Sequence, residues 1–401
     1  MEKTDILISG GGVAGLVAAA AFGTAGFRTT VVDPAPPVTD AAADGADLRS
    51  TAFLQPARAF LERAGLWDRL APHATALRVM RIVDAGGTEP TPRITRDFEA
   101  TEIGDDAFGW NFPNWLLRRE SVARLAEIPS VTFMSGTGFA RLFTRETEAR
   151  VTLTDGSQIA ARLVIAADGR HSPARDAAGI GVRTTRYGQK AVVFAVTHPV
   201  PHDNISTEVH RTGGPFTLVP LPDRAGQPCS AVVWMEDGPE IQRLAALSVT
   251  AFEAEATARS AHVQGPLTLV TPRQVWPIIS QMADRLTAQR LALVAEAAHV
   301  VPPIGAQGLN MSLRDLATLL DLAEGDRDGL GSAGMLDAYA RARHPDIRLR
   351  VMGIDALNRA SMADNPLMRD LRAAGVKVLH DVTPVRRTLM RLGLGAGRAA
   401  D

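Results

Sequence analysis

The first residues whose spacing could serve chemistry are Gly10-Gly11-Gly12-Val13-Ala14-Gly15, a G-x-G-x-x-G pattern between the apolar run Ile6-Leu7-Ile8 and a small-residue stretch of helical character. At a strand-to-helix turn of this kind Gly10 permits the tight bend and Gly12 admits a pyrophosphate. Gly15 lets helix and strand pack closely, and the helix start at Val13 and Ala14 attracts negative charge. Asp33 follows Thr29-Thr30-Val31-Val32, about 20 residues on, where a carboxylate can accept hydrogen bonds from ribose hydroxyls. The pattern points to a dinucleotide and leaves NAD and FAD both open. Its bland alternative is a glycine-rich turn.

Two later segments bear on that choice. Asp168-Gly169, with Ser172 and Arg175, ends a run of apolar residues, and a turn after a strand is its simplest reading. Further on come Ala295-Glu296-Ala297-Ala298-His299, then Pro302-Pro303-Ile304-Gly305-Ala306-Gln307-Gly308-Leu309-Asn310, then Arg314-Asp315. Together and in this order they resemble the motifs of the class A flavoprotein hydroxylases. Asp168-Gly169 is similar to that family's DG motif, placed between the flavin ribose side and the path of the pyridine nucleotide. The third segment is similar to its Gly-Asp-Ala-Ala-His and Gly-Gln-Gly-Leu-Asn elements.

The resemblance implies FAD as cofactor and NAD(P)H as co-substrate. Glu296 would hold a ribityl hydroxyl, one methylene further out than the family's aspartate. Pro303, Gly305, Ala306, Gln307, Gly308, Leu309 and Asn310 would present a loop and a helix start to the isoalloxazine edge. Ala306 stands where a glycine is common and requires negative φ or strain. Arg49 matches an arginine near the flavin pyrophosphate and ring. Arg118, with Asn114 as its substitute, matches a further polar contact.

Within that family, Tyr187-Gly188-Gln189-Lys190-Ala191, Gly214-Pro215-Phe216 and Val275-Trp276-Pro277-Ile278 resemble substrate-domain signatures of the ubiquinone-biosynthesis (2-polyprenylphenol-type) hydroxylases. Tyr187, Pro215 and Trp276 would then face the ring pocket, although each could equally be core strand. The implied substrate is a polyprenylated phenol, hydroxylated with dioxygen through a flavin C4a-hydroperoxide. No side chain activates oxygen in such a scheme, so no catalytic acid or base is assigned. His299 reads as a packed residue of the flavin motif, and no metal site is expected.

The elements that must position these residues follow from periodicity. Residues 6–8, 29–32 and 291–294 are short runs suited to a buried parallel sheet, with a helix over 13–25 between the first two. Residues 34–45, rich in Pro, Ala and Asp, read as a surface loop, and 50–70 as helical. Asp155-Gly156 signals a hairpin. Residues 78–84 and 191–234 break into short strands, as in antiparallel sheet, and helical patterns return over 310–322 and 335–358. The expected fold is α/β: a Rossmann-like FAD-binding domain carrying an inserted antiparallel β-sheet substrate domain, p-hydroxybenzoate-hydroxylase-like, with C-terminal helices. The FAD-binding domain would comprise 1–75, 100–182 and 282–360, the substrate domain 76–99 and 183–281, and a C-terminal helical segment 361–401.

Composition limits the partners. Across 401 residues, 43 Lys and Arg stand against 44 Asp and Glu, which gives no electrostatic case for nucleic acid. A single cysteine, Cys229, excludes an internal disulfide and fits a reducing cytoplasm. The N-terminus lacks the pattern of a secretory signal. Over 382–400 the chain has no acidic residue, carries Arg386, Arg387, Arg391 and Arg398, and sets Val385, Leu389 and Leu392 at helical spacing. That pattern suits peripheral contact with the inner membrane, a partner in a ubiquinone-biosynthesis complex, or packing on the chain's own domain. The alternatives to a ubiquinone hydroxylase are a same-fold hydroxylase of another aromatic, a prenyl reductase, and a non-catalytic flavoprotein subunit of a biosynthetic complex.

Overall fold

The computed structural model describes residues 1–86, 89–211, 213–362, 384, 386–388 and 390. Ile6, Leu7 and Ile8 are fully buried because Glu2–Ser9 lies between two parallel neighbours, Gln158–Ala166 and Thr29–Asp33, in an eight-stranded sheet. A strand covered on both faces reads as a continuous apolar run, which is the pattern seen. Thr29–Asp33 pairs in parallel with Val131–Ser135, and Gln158–Ala166 with Leu291–Leu293. The helix Val13–Thr24 is buried from Ala14 to Gly23, and its small residues let it lie close to the sheet. A Cβ on Gly23 would come within 2.2 Å of Val131. The hairpin at Asp155-Gly156 joins Ala149–Leu153 to Gln158–Ala166 as expected.

A second sheet of nine strands is built on the long strand Val182–Thr197, flanked by Gln274–Ala283 and Gln227–Asp237. Val79–Asp84 joins it in parallel with Ile205–His210. Side-chain alternation divides its centre in two. Val192, Phe194, Val196, Phe216 and Trp234 pack under the helices Gly238–Ala246 and Val249–Arg259, with Phe194 edge-on to Phe252 at 4.9 Å. Ala191, Val193, Met235 and Ile278, with Tyr187 and Trp276, occupy the opposite face.

The helix expected over 50–70 is corrected. Ser50–Leu54 is a strand, paired antiparallel with Gly109–Pro113, and only Gln55–Arg63 and Trp67–Leu70 are helical. Cross-strand packing decides the first five residues, since Phe53 meets Phe112 at 5.9 Å between ring centroids. Pro56 then fixes the helix start. The two later helices extend over Gln307–Gly325 and Ala333–Ser361.

Most of the C-terminal stretch 382–400, including Val385, Leu389, Arg391, Leu392 and Arg398, lies outside the described residues. Of those described, Arg386 pairs with Glu102, and Met390 is buried with Leu54, Ala100 and Phe108. These two residues therefore pack on the chain's own domain. Among the described residues no helix is long and apolar enough to cross a membrane, and no cluster of three His, Cys, Asp or Glu could hold a metal ion.

Candidate active site

The glycine turn is built as its spacing demands. Gly10 has φ +108°, and a Cβ there would lie 2.4 Å from the Ala167 carbonyl oxygen. A Cβ on Gly15 would strike the Gly10 carbonyl at 1.9 Å, whereas one on Gly12 would meet nothing within 4 Å. The turn is thus crowded on the protein side and open at the one glycine assigned to ligand approach. The helix behind it starts at Val13 with no side-chain cap and no acidic residue in its first turn, so its N–H groups and partial positive charge stay available. Asp33 accepts from Gly11 N at 2.6 Å and from Ala35 N at 2.9 Å. It shapes the turn and retains lone pairs for a ribose.

Asp168 stands across from this turn. Its Oδ2 accepts from Ser9 Oγ at 2.9 Å and Ala174 N at 3.1 Å, while its Oδ1 is buried with no partner. Burial raises its pKa above the usual carboxylate value, against the hydrogen bonds that favour charge. With Ser172 also beside the carboxylate, Asp168 keeps acceptor capacity next to the glycine turn that a hydroxyl donor can use. Gly169 follows in the left-handed region at φ +84°. Ser172 caps the next helical turn, and buried Arg175 donates to the carbonyls of Arg170 (3.1 Å) and Ala297 (3.2 Å), tying this loop to the third segment.

In that third segment Ala295 and Ala306 both adopt left-handed backbone, φ +54° and +55°. Of the two alternatives open to Ala306, negative φ or strain, the loop geometry imposes the strained one. Glu296 is half-exposed and 3.4 Å from Arg170 Nε. Pro303 and Gly305 lead through Ala306 to the helix beginning at Gln307, which lacks a side-chain cap, with Gly308, Leu309 and Asn310 in its first turn. Gln307 donates to the Gly305 carbonyl at 2.9 Å and accepts from Arg350 Nη1 at 2.9 Å. The Asn310 amide is committed to protein, accepting from Leu54 N (2.9 Å) and donating to the Ala52 (2.7 Å) and Ala306 (2.6 Å) carbonyls. It fixes the helix start against the strand Ser50–Leu54.

Asp47, to which sequence reasoning gave no role, organises the basic side. Arg49 donates to it twice, at 2.8 and 2.7 Å, Asn114 donates at 3.1 Å, and Arg118 Nη2 lies 3.7 Å away. Burial works against the Asp47 charge, but these partners outweigh it and hold the carboxyl below its usual range. The Asp47-x-Arg49 spacing was the available signal. Arg49 in turn lies over the Trp276 ring, 4.3 Å from its centroid, joining the loop before Ser50–Leu54 to the nine-stranded sheet.

The face that Trp276 occupies is the one turned away from the helices Gly238–Ala246 and Val249–Arg259. The pairing of Phe216 with Trp234 sets Pro215 opposite Met235, so Tyr187, Pro215 and Trp276 share one side of the sheet with Ala191, Val193 and Ile278. Tyr187 donates to Asp355 Oδ1 at 2.5 Å, and burial followed by this carboxylate pushes its pKa up to about 12. His299 is buried, paired at 2.7 Å with Asp315, which also accepts from Arg343 Nε at 2.8 Å. This ties the third segment to the last helix, with His299 held by a carboxylate.

The arrangement therefore has two uncapped helix starts, an orphan acceptor, a glycine with open space beside it and an anchored arginine, all suited to a dinucleotide with a flavin end. The profile of the family described as FAD binding domain matches residues 3–352, and the chain belongs to that family. It is 34% identical over 397 residues to the ubiquinone hydroxylase UbiL of Rhodospirillum rubrum, covering 98% of this chain and 90% of that one. It is 26% identical to the 3-demethoxyubiquinol 3-hydroxylase of Escherichia coli, covering 98% and 99%. The crystal structure of p-nitrophenol 4-monooxygenase PnpA from Pseudomonas putida superposes with a TM-score of 0.81 at 19% identity over the full length of both chains. The fold is that of the FAD-dependent aromatic hydroxylases, and the protein is an FAD-dependent oxidoreductase of this monooxygenase class.

Proposed function

We propose that this protein hydroxylates the aromatic ring of a polyprenylated phenol in ubiquinone biosynthesis, consuming NAD(P)H and dioxygen. The observation that carries the reading is the apolar face of Ala191, Val193, Met235, Ile278 and Trp276, over which Arg49, one of the proposed flavin contacts, is stacked. Bound FAD supplies electron transfer from the nicotinamide and the activation of oxygen.

The chain's own residues bind, orient and exclude water. Gly10, Gly12, Val13, Ala14 and Gly15 cradle the pyrophosphate, Asp33 takes the adenosine ribose, and Asp168 with Gly169 takes the flavin ribose side. Glu296, on its short helical turn, reaches a ribityl hydroxyl. The loop of Pro303, Gly305 and Ala306 with the helix start of Gln307, Gly308, Leu309 and Asn310 meets the ring edge. Arg49 and Arg118, gathered by Asp47, bring positive charge to the cofactor. Tyr187, Pro215 and Trp276 line the substrate side, with Tyr187 as a neutral wall and not a base, since Asp355 holds its proton. The substrate class also supports peripheral work at the inner membrane.

The test is turnover of a short-chain prenylphenol under labelled dioxygen. The reading expects one labelled oxygen atom on the ring and NAD(P)H consumed in step with product. Saturated prenyl double bonds without oxygen uptake would point to the reductase. Hydroxylation only of soluble aromatics would point to another member of the class.

A further inference from the structure

The last helix, Ala333–Ser361, carries a surface that the active site does not use. Leu349, Met352 and Leu357 are 72%, 60% and 59% exposed. Ala342, Pro345 and Ala356 lie on the same side at spacings of three, four and seven residues, while Arg343, Ile347, Ile354 and Asn358 face inward. Across 341–360 every exposed position is either apolar or glycine, or one of the arginines Arg341, Arg348 and Arg359. The two aspartates in this stretch are only half-exposed and already paired, Asp346 with Arg343 and Arg350, Asp355 with Arg359. The nearest exposed acid on the helix, Asp337, lies one turn earlier.

We propose that this face is a docking surface for an anionic lipid bilayer, lying in the membrane plane with Leu349, Met352 and Leu357 in the acyl boundary. An exposed apolar stripe whose fully exposed charges are all arginines has the pattern of interfacial helices, and the arginines match lipid phosphates in charge. The placement follows from the charge pattern alone; its purpose, access to a membrane-resident substrate, rests on the function proposed above.

The test uses the full FAD-loaded protein and unilamellar vesicles, either phosphatidylglycerol mixed with phosphatidylcholine or phosphatidylcholine alone. The protein should sediment with the anionic vesicles about tenfold more strongly than with the neutral ones, and added salt should weaken the binding. L349E/M352E should lose binding by about tenfold or more. R341E/R348E should lose it on anionic vesicles only, with flavin content and thermal midpoint retained in both variants. Unchanged sedimentation of L349E/M352E, or no vesicle binding by the parent protein, overturns the proposal. So does a dimer in light scattering that L349E/M352E abolishes, which would assign the stripe to a second copy of the chain. Because sedimentation does not depend on turnover, its failure is distinct from failure of the hydroxylase reading.

Discussion

At the residue scale the site depends on Asp47, which holds Arg49 over Trp276 and gathers Asn114 and Arg118. Asp47→Ala leaves the partly exposed Arg49 guanidinium and the buried Asn114 amide without their acceptor, a change expected to cost about 1–2 kcal/mol in stability and to lower flavin occupancy. Denaturant unfolding with the flavin absorbance as a second readout checks this. Because the folded pKa of Asp47 lies below its unfolded value of 3.8, its contribution is complete above that value and is lost as pH falls through the folded pKa. Asp47→Asn should therefore flatten the acid limb of stability below about pH 4 and leave the neutral limb parallel to the parent's. Tyr187 gives a second prediction. With its hydroxyl pushed up to about 12 it does not ionise near neutrality, so Tyr187→Phe should keep the shape of the kcat against pH profile from pH 6 to 9, as measured by NAD(P)H-coupled turnover, with a rate change of about threefold or less.

At the scale of elements, the left-handed alanines mark where geometry overrides residue preference. Ala295 and Ala306 sit at φ +54° and +55°, a conformation that costs a non-glycine residue about 1 kcal/mol. Ala306→Gly should raise stability by about 0.5 kcal/mol, the strain relief exceeding the entropy glycine adds to the unfolded chain. Differential scanning calorimetry of the flavin-free protein reads this directly. The buried chain His299, Asp315, Arg343 behaves oppositely: Asp315→Ala leaves Arg343 facing only Asp346 and should cost about 3–5 kcal/mol. The sequence made the parallel strands legible because double-sided burial writes itself as runs such as Ile6-Leu7-Ile8. It made the first glycine motif legible because sterics leave no alternative at Gly10 and Gly15. It did not disclose the strand Ser50–Leu54, whose identity comes from Phe112 across the sheet, nor the φ of Ala306, which the loop dictates. Only the Arg49 half of the Asp47 cluster was legible, from the i, i+2 spacing; Asn114 and Arg118 are distant in sequence and meet it only in the fold.

At the scale of the whole molecule, two sheets meet along one seam. The eight-stranded sheet presents the open glycine turn and the orphan oxygen of Asp168, and the nine-stranded sheet presents an apolar wall. Gln281 donates across the seam to the Arg170 carbonyl, Arg49 covers Trp276 from the loop before Ser50–Leu54, and the last helix braces both sides, through Asn358 to Gln189 and through Arg350 to Gln307. An apolar wall beside a flavin-binding turn suits an aromatic ring, which is what a ring hydroxylase needs. The most direct test is anaerobic: the purified protein's flavin spectrum is recorded while NAD(P)H is added with and without a short-chain prenylphenol, and oxygen is then admitted. The account predicts a yellow protein whose flavin is reduced faster with the phenol present and whose reoxidation yields a ring-hydroxylated product. A colourless protein, or a bound flavin that neither nucleotide reduces, would contradict it.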